Sequence, residues 1–459
     1  MTRSGNSPGW VTAWLLRASV PTFSAFAIAA AFSTYFSMYG FRKPFAVGTF
    51  AGEVDVFGVV LDYKILLILA QVIGYCGSKF AGIKIVSEMS AARRGLGILA
   101  LIAIAELALL FFALTPRPYN AVWLFVNGLP LGMVWGLVFG FLEGRRVSEV
   151  LGVGLSASYI VASGFVKSVG RWLMDAGVDE AWMPFAAGLL FVGPIAVSVW
   201  ALAQLPPPSD EDAQLRTVRA PMNGRERSSF FFAYAPGLSL LTILYMLLTA
   251  YRDFRDNFAR EIWDALGYGE TPSVLTTAEV PIALGVLAAL ALLMTIRDNR
   301  RALLAIHGIM FGGTVLIGAS TWGFQAGLIG PVPWMIAVGL GLYLAYVPYG
   351  CMLFDRLIAA VGFVGTAGFM IYVTDAFGYL GSVLVLLYKN FGQANLSWMA
   401  FFTNFSYLTS IVCSIAMGLS FLYFTRLQKP TVLTTRVAES SSGDASKTTA
   451  PDAQESPSR

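Results

Sequence analysis

Phe41-Arg42-Lys43-Pro44-Phe45-Ala46 closes the first long apolar stretch of the chain, and Phe254-Arg255-Asp256-Asn257-Phe258-Ala259 closes the seventh, 213 residues further on. Similar endings at corresponding places in two sets of apolar stretches are the mark of an internal duplication. Two more correspondences keep nearly the same offset. Gly140, Arg146 and Gly152 match Gly350, Arg356 and Gly362 at 210 residues, and Gly154 and Gly170 match Gly365 and Gly381 at 211. They join the fourth stretch to the tenth and the fifth to the eleventh, as a six-plus-six repeat demands.

The stretches themselves set the class of protein. Of 459 residues, 56% are hydrophobic and only 13% charged, with mean hydropathy +0.67, whereas a soluble domain carries about a quarter charged residues. A hydrocarbon core of about 30 Å takes about 20 residues of helix. Twelve stretches of about that length run over 19–46, 61–83, 94–114, 119–142, 150–173, 182–204, 230–255, 274–296, 302–322, 331–354, 364–388 and 399–424. The sequence therefore predicts an all-α integral membrane protein, with about 12 transmembrane helices in two pseudo-symmetric six-helix halves. Its expected parts are a cytoplasmic head (1–18), the first half (19–204), a charged linker opened by Pro206, Pro207 and Pro208 (205–229), the second half (230–424) and a disordered tail (425–459). Basic residues number sixteen on the side of the amino terminus and at most eight on the other. By the positive-inside rule both termini are cytoplasmic, and the expected location is the cell (inner) membrane.

The net charge of +4 is spread without a dense basic run, which argues against a nucleic-acid partner. Cys76, Cys351 and Cys413 lie inside apolar stretches without zinc spacing, as small packing residues. No phosphate-binding glycine loop occurs, and the lone histidine, His307, leaves no nucleophile or metal constellation. The chain is expected to be no enzyme and to hold no cofactor or metal. Its partners are a small-molecule substrate, a coupling proton or counter-anion, and lipid, with the protein a monomer.

A six-plus-six chain with cytoplasmic termini and a charged central linker resembles the major facilitator superfamily. That resemblance implies a central cavity lined by spans 1, 4, 7 and 10, with 2, 5, 8 and 11 where the halves meet. Tyr35, Tyr39, Arg42, Lys43, Phe45 and Ala46 resemble the first-span pattern of the organophosphate:phosphate antiporter branch, whose arginine contacts substrate phosphate together with one from span 7. The repeat supplies Arg255 for that second role. After span 2 the superfamily's Asp-Arg motif is replaced by Gly77-Ser78-Lys79, with a basic pair delayed to Arg93-Arg94. Over its whole length the chain resembles more closely a family of uncharacterised bacterial facilitator-like proteins, a domain of unknown function, which supports the fold and leaves the substrate open.

An ionisable side chain at membrane depth costs about 2.5–3.5 kcal/mol on insertion scales and so needs a partner or a wet cavity. On a first helix running to residue 46, Tyr35, Tyr39 and Arg42 share one face; on the seventh, Tyr251 and Arg255 form the equivalent face, with Arg252 where Tyr39 stands. Two opposed guanidinium forks suit a phosphate or carboxylate. External loops are the competing location for these arginines. For gating or coupling, Lys43 is expected to meet Asp256, Lys167 to meet Glu279, and Lys64 to meet Asp375, which reads as the most buried acid of the chain. Glu143, Arg145, Arg146, Asp355 and Arg356 suggest an inner gate or loop anchors. Trp135, with Asn127 and Pro130, reads as packing or cavity wall, and other tryptophans, Trp334 among them, as an interfacial belt.

The function expected is secondary active transport of a small organic anion, a phosphate ester or carboxylate, by alternating access. The alternatives are a non-transporting sensor or partner subunit with the same fold, and a proton-coupled exporter of apolar compounds.

Overall fold

The computed structural model of the protein describes residues 9–56, 58–145, 147–208, 224–361, 368–393 and 395–426. Twelve long helices follow one another: α1 (Val20–Tyr39), α2 (Tyr63–Glu88), α3 (Ala91–Leu114), α4 (Ala121–Leu142), α5 (Ser148–Asp175), α6 (Met183–Ala203), α7 (Ala235–Asn257), α8 (Val274–Met294), α9 (Asn299–Gln325), α10 (Pro331–Cys351), α11 (Gly368–Leu387) and α12 (Trp398–Arg426). Ten have the length and apolarity of a membrane span among the described residues. Of the other two, α7 carries Arg252, Asp253, Arg255 and Asp256 in its last turns, and α11 packs beside it. The expected tail beyond 426, the linker core 209–223, and Arg146, Gly362 and Gly365 of the repeat lie outside the described residues.

Helix starts follow local chemistry. The Ser19 hydroxyl accepts from the Thr22 amide at 3.4 Å at the head of α1, and Asp62 and Asp298 cap α2 and α9 through the amides of Ile65 (3.2 Å) and Arg301 (2.7 Å). The first span ends earlier than its apolar run suggests. α1 stops at Tyr39, residues 40–43 turn, and Pro44–Val47 form a short 3-10 helix, because Pro44 brings no N–H to a continuing ladder. Arg42 therefore stands on the turn beyond the helix. The connector to α2 is a hairpin, β1 (Glu53–Val56) antiparallel to β2 (Val59–Asp62), with Gly58 at φ +81° in its turn.

Packing repeats itself when six is added to the helix number. α1 packs on α5 and α6, α2 on α4, and α3 on α4 and α6; likewise α7 packs on α11 and α12, α8 on α10, and α9 on α10 and α12. The halves meet where α2 lies on α11 and α5 on α8, an arrangement that maps onto itself under the same exchange. Large apolar residues such as Leu96, Val197 and Leu292 are exposed on the outer helices, where acyl chains replace water as their solvent. Trp334 departs from the expected belt. It is fully buried, stacked on Phe324 at 4.2 Å.

The seam of the halves depends on small residues. A Cβ on Gly164 of α5 would stand 1.9 Å from the Leu275 carbonyl oxygen of α8, so any side chain there forces the backbones apart. Within the first half, a Cβ on Gly128 of α4 would stand 2.3 Å from the Gln71 carbonyl oxygen of α2. Gly164→Val is expected to destabilise this closed packing by about 1–3 kcal/mol, read as a lowered thermal unfolding midpoint, while the same change at exposed Gly193, which meets nothing within 4 Å, leaves the midpoint nearly unchanged.

Candidate functional site

Helical spacing delivers polar side chains to one place between the halves. Tyr35 and Tyr39 on α1, Tyr75 and Lys79 on α2, and Ile371, Asp375 and Tyr379 on α11 recur at four-residue intervals, each set on one helix face. With Trp135 of α4, Tyr159 of α5, Tyr245 and Arg252 of α7, and Tyr346 and Gly350 of α10, they line a cavity of about 490 Å³, its mouth included. The wall is thus drawn from spans 2, 5 and 11 as well as 1, 4, 7 and 10.

Two ion pairs organise the wall. Lys79 Nζ lies 2.9 Å from Asp375 Oδ2, joining α2 to α11 across the halves, and the Tyr245 hydroxyl donates to Asp375 Oδ1 at 2.5 Å. Arg252 Nη2 donates to Asp253 Oδ1 at 2.8 Å and to the Tyr379 hydroxyl at 3.2 Å. Its Nη1 donates to the Tyr346 hydroxyl, over whose ring the guanidinium sits at 4.5 Å. The far oxygen of Asp253 accepts from Ser382 at 2.8 Å.

Arg42 stands behind this wall. Its guanidinium lies 3.7 Å over the Tyr75 ring, the residue is 3% exposed, and its Nε has no hydrogen-bond partner. No carboxylate among the described residues lies within ion-pairing distance of it. The turn carrying it is fixed by Gln71, which donates to the Arg42 carbonyl at 3.0 Å, and by Asn127, which donates to the Phe41 carbonyl at 3.0 Å and accepts from Gln71 at 2.8 Å. Around the cavity three cations, Arg42, Lys79 and Arg252, face two carboxylates, Asp253 and Asp375.

A second polar layer closes one membrane face. Asp256 at the end of α7 takes Lys43 at 2.6 Å and Lys167 of α5 at 2.5 Å, and also accepts from Ser163. Lys43 donates to Asn257 Oδ1 at 2.8 Å, Lys64 pairs with Glu261, and Arg260 donates to the Val47 carbonyl at 2.6 Å. All of these join one half to the other. At the opposite face Arg356 spans from Asn299 (2.8 Å) to Glu149 of α5 (2.9 Å).

The structure redistributes several expected contacts. Lys43 and Asp256 are brought together. Lys167 goes to Asp256 and not to Glu279, which pairs with Arg255 at 2.9 Å. Lys64 does not reach Asp375, because it starts α2 while Lys79 lies fifteen residues, about 22 Å, along the same helix. Arg255 also donates to the Met335 carbonyl at 3.3 Å and lines a separate pocket with Lys167, Asp256 and Glu279. The Tyr251 hydroxyl is 2.6 Å from Ser406 of α12, so neither residue faces Arg42 across the cavity. The Arg42 and Arg255 clamp is not formed here; Arg252 is the span-7 arginine at the wall. Asp375 is not the most buried acid, its side chain being 13% exposed against 3% for Asp253.

Eight of the cavity's residues are not among those the sequence points to as site or wall: Tyr75, Tyr159, Tyr245, Tyr346, Ile371, Tyr379, Gly350 and Lys79. The sequence reads Lys79 as part of the motif that follows span 2, whereas α2 continues to Glu88. The pairs Tyr75 with Lys79 and Asp375 with Tyr379, each four residues apart inside an apolar helix, carried the signal.

Residues 44–427 match a family described as of unknown function, DUF5690. No curated protein matches the chain. A crystal structure of a D-xylose-proton symporter superposes with TM-score 0.61 at 11% identity, over 87% of this chain and 97% of its own. A bacterial homologue of the human drug peptide transporters PepT1 and PepT2 superposes with TM-score 0.55 at 12% identity, over 88% of this chain and 99% of its own. The chain shares its fold with both, the major-facilitator-like fold expected from its sequence.

Removing one partner of a buried pair costs about 3–5 kcal/mol because the other charge stays buried. Asp256→Asn strands two lysines and is expected to part the halves at this face. Spin labels on Tyr119→Cys and Glu270→Cys, both exposed there, are expected to show a longer distance by electron–electron double resonance in the Asn variant; an unchanged distance counts against the lock.

Proposed function

We propose, from the premise that the chain belongs to DUF5690, a family of unknown function, that it is a secondary transporter moving a small organic anion by alternating access. The observation that carries this reading is the charge balance at the cavity. Arg42 is buried without a carboxylate, and one cation of the three around the cavity lacks a counter-charge. A buried charge needs a partner, and a monoanion entering the cavity would supply it. Arg252 presents a planar fork suited to carboxylate or phosphate, Lys79 a point charge, and Arg42 acts through the Tyr75 face. Tyrosine hydroxyls and the Trp135 face around them suit the hydroxylated or ring-bearing remainder of such an anion, so a phosphate ester or carboxylate of that kind is the substrate class.

Transport requires the halves to rock. Support for this comes from the polar character of the contacts that close the Lys43 face, which exchange for water at modest cost, and from the likeness in fold to a sugar–proton symporter and a peptide transporter. Lys43, Lys64, Lys167 and Asp256 serve as the gate on that face. Glu279 with Arg255, and Asp375 with Lys79, are carboxylates whose cation partners could be released by a coupling proton or displaced by a counter-anion. The charge bias of the connectors supports an orientation with the Lys43 face outside and both termini in the cytoplasm, and the proposed form is a monomer in the inner membrane.

A ligand that binds the folded state at 100 times its Kd stabilises it by about 2.7 kcal/mol. The test is thermal unfolding of the purified protein with phosphate, phosphate esters, carboxylates and neutral sugars. One anion class is expected to raise the midpoint, and Arg42→Ala and Arg252→Ala are each expected to abolish the rise. A rise with neutral sugars that survives both substitutions overturns the anion reading. Binding without uptake of the same anion into proteoliposomes turns the transporter into a sensor. No anion binding, with efflux of apolar compounds that depends on Asp375 or Glu279, favours an exporter.

A further inference from the structure

Glu106 lies inside α3, a helix that contributes no residue to the wall of the central cavity, and is 9% exposed. Both carboxyl oxygens are buried and neither has a hydrogen-bond partner. They occupy a groove on α6 that exists because residue 188 is glycine: a Cβ there would stand 2.0 Å from Glu106 Oε2. The helices packed against α3 are α4 and α6, and neither Ala121–Leu142 nor Met183–Ala203 contains an ionisable side chain. On α3 itself the other charged residues are Arg93 and Arg94, at least twelve residues or about 18 Å away along the axis. Arg94 donates to the Gly140 carbonyl at 2.5 Å.

The corresponding seam of the second half, α9 on α12, offers an internal control. It too contains polar side chains, but they satisfy one another: Thr314 with Ser414 at 2.9 Å, and His307 with Ser420 at 3.2 Å. Only the first-half seam holds an acid with nothing to answer it among the described residues. An unpaired carboxylate is not tolerated in an apolar seam, whereas the uncharged acid fits there.

We propose that Glu106 is a proton-binding site on the α3–α6 seam, separate from the central cavity, that exchanges its proton with water only when the two helices part. This stands independently of the transporter reading. In such an arrangement the bound proton opposes, and its release reports, the separation of α3 from α6, two helices at the rim of the first half.

A lipid-soluble carbodiimide tests it on the full chain. The carboxyl oxygen bonds to the carbodiimide carbon while the acid's own proton passes to a carbodiimide nitrogen, and the adduct rearranges to a stable N-acylurea; an ionised carboxylate brings no such proton. Peptide mapping by mass spectrometry is expected to find the adduct on Glu106 with dicyclohexylcarbodiimide and none there with a charged, water-soluble carbodiimide. Infrared difference spectra of the unsubstituted chain against Glu106→Gln are expected to show loss of a protonated-carboxyl band. An unmodified Glu106 together with identical spectra overturns the proposal. If Glu106→Gln does not fold, labelling of the unsubstituted chain decides alone: an adduct on Glu106 supports the proposal and its absence overturns it.

Discussion

The Asp256 carboxylate, held between Lys43 at 2.6 Å and Lys167 at 2.5 Å, ties the second half of the protein to two different elements of the first. Lys43 is on the turn after α1 and Lys167 is inside α5, so a single acid from α7 fixes the relative position of three elements. That placement brings Gly164 against the α8 backbone and holds the mouth of the cavity shut on this face. The lock is polar and buried, with both lysines nearly inaccessible, so it is worth little against an apolar substitute of the same shape, but losing one member leaves charge stranded. Such a contact gives geometry more than stability. Rigid alternatives, an apolar seam above all, would hold the halves together without allowing them to exchange partners.

Below the lock the constraint changes from pairing charges to surrounding them. Seven tyrosines meet around the cavity, and each supplies a ring face and a hydroxyl on a side chain with few rotatable bonds. Rings seat the cations, as Tyr75 does for Arg42 and Tyr346 for Arg252, while hydroxyls complete their hydrogen bonding and that of Asp375. An arginine can be kept inside a membrane protein in this way without a full carboxylate of its own. The result is a cavity whose electrostatic need is partly met by the protein.

Arg255 illustrates how far sequence reasoning carries and where it stops. The repeat aligns Phe254-Arg255-Asp256 with Phe41-Arg42-Lys43, and the two arginines are both buried. Their roles diverge since α7 continues helically through Asn257 while α1 ends at Tyr39, which turns equivalent positions to different directions. Lys43 and Asp256 were legible as a pair because they occupy equivalent positions of the repeat, 213 residues apart. Lys167 with Glu279 and Lys64 with Asp375 were legible only as charges in need of partners, and the partners turned out to be Asp256, Arg255, Glu261 and Lys79.

The sequence alone determined that the chain is an all-α membrane protein of two six-helix halves, because the apolar length of a span and the repetition of glycine and charge along it are one-dimensional properties. It also pointed to several of the charges that need partners, Lys43, Lys64, Lys167, Arg255, Asp256, Glu279 and Asp375 among them, since a charge in an apolar stretch is visible without coordinates. The tertiary structure decided which charge meets which, that Lys79 and Arg252 stand at the cavity wall, and that Glu106 meets no charge among the described residues. Pairing depends on the rotation and depth of each helix to within one turn, about 5.4 Å, and that register is set by the packing of twelve helices together.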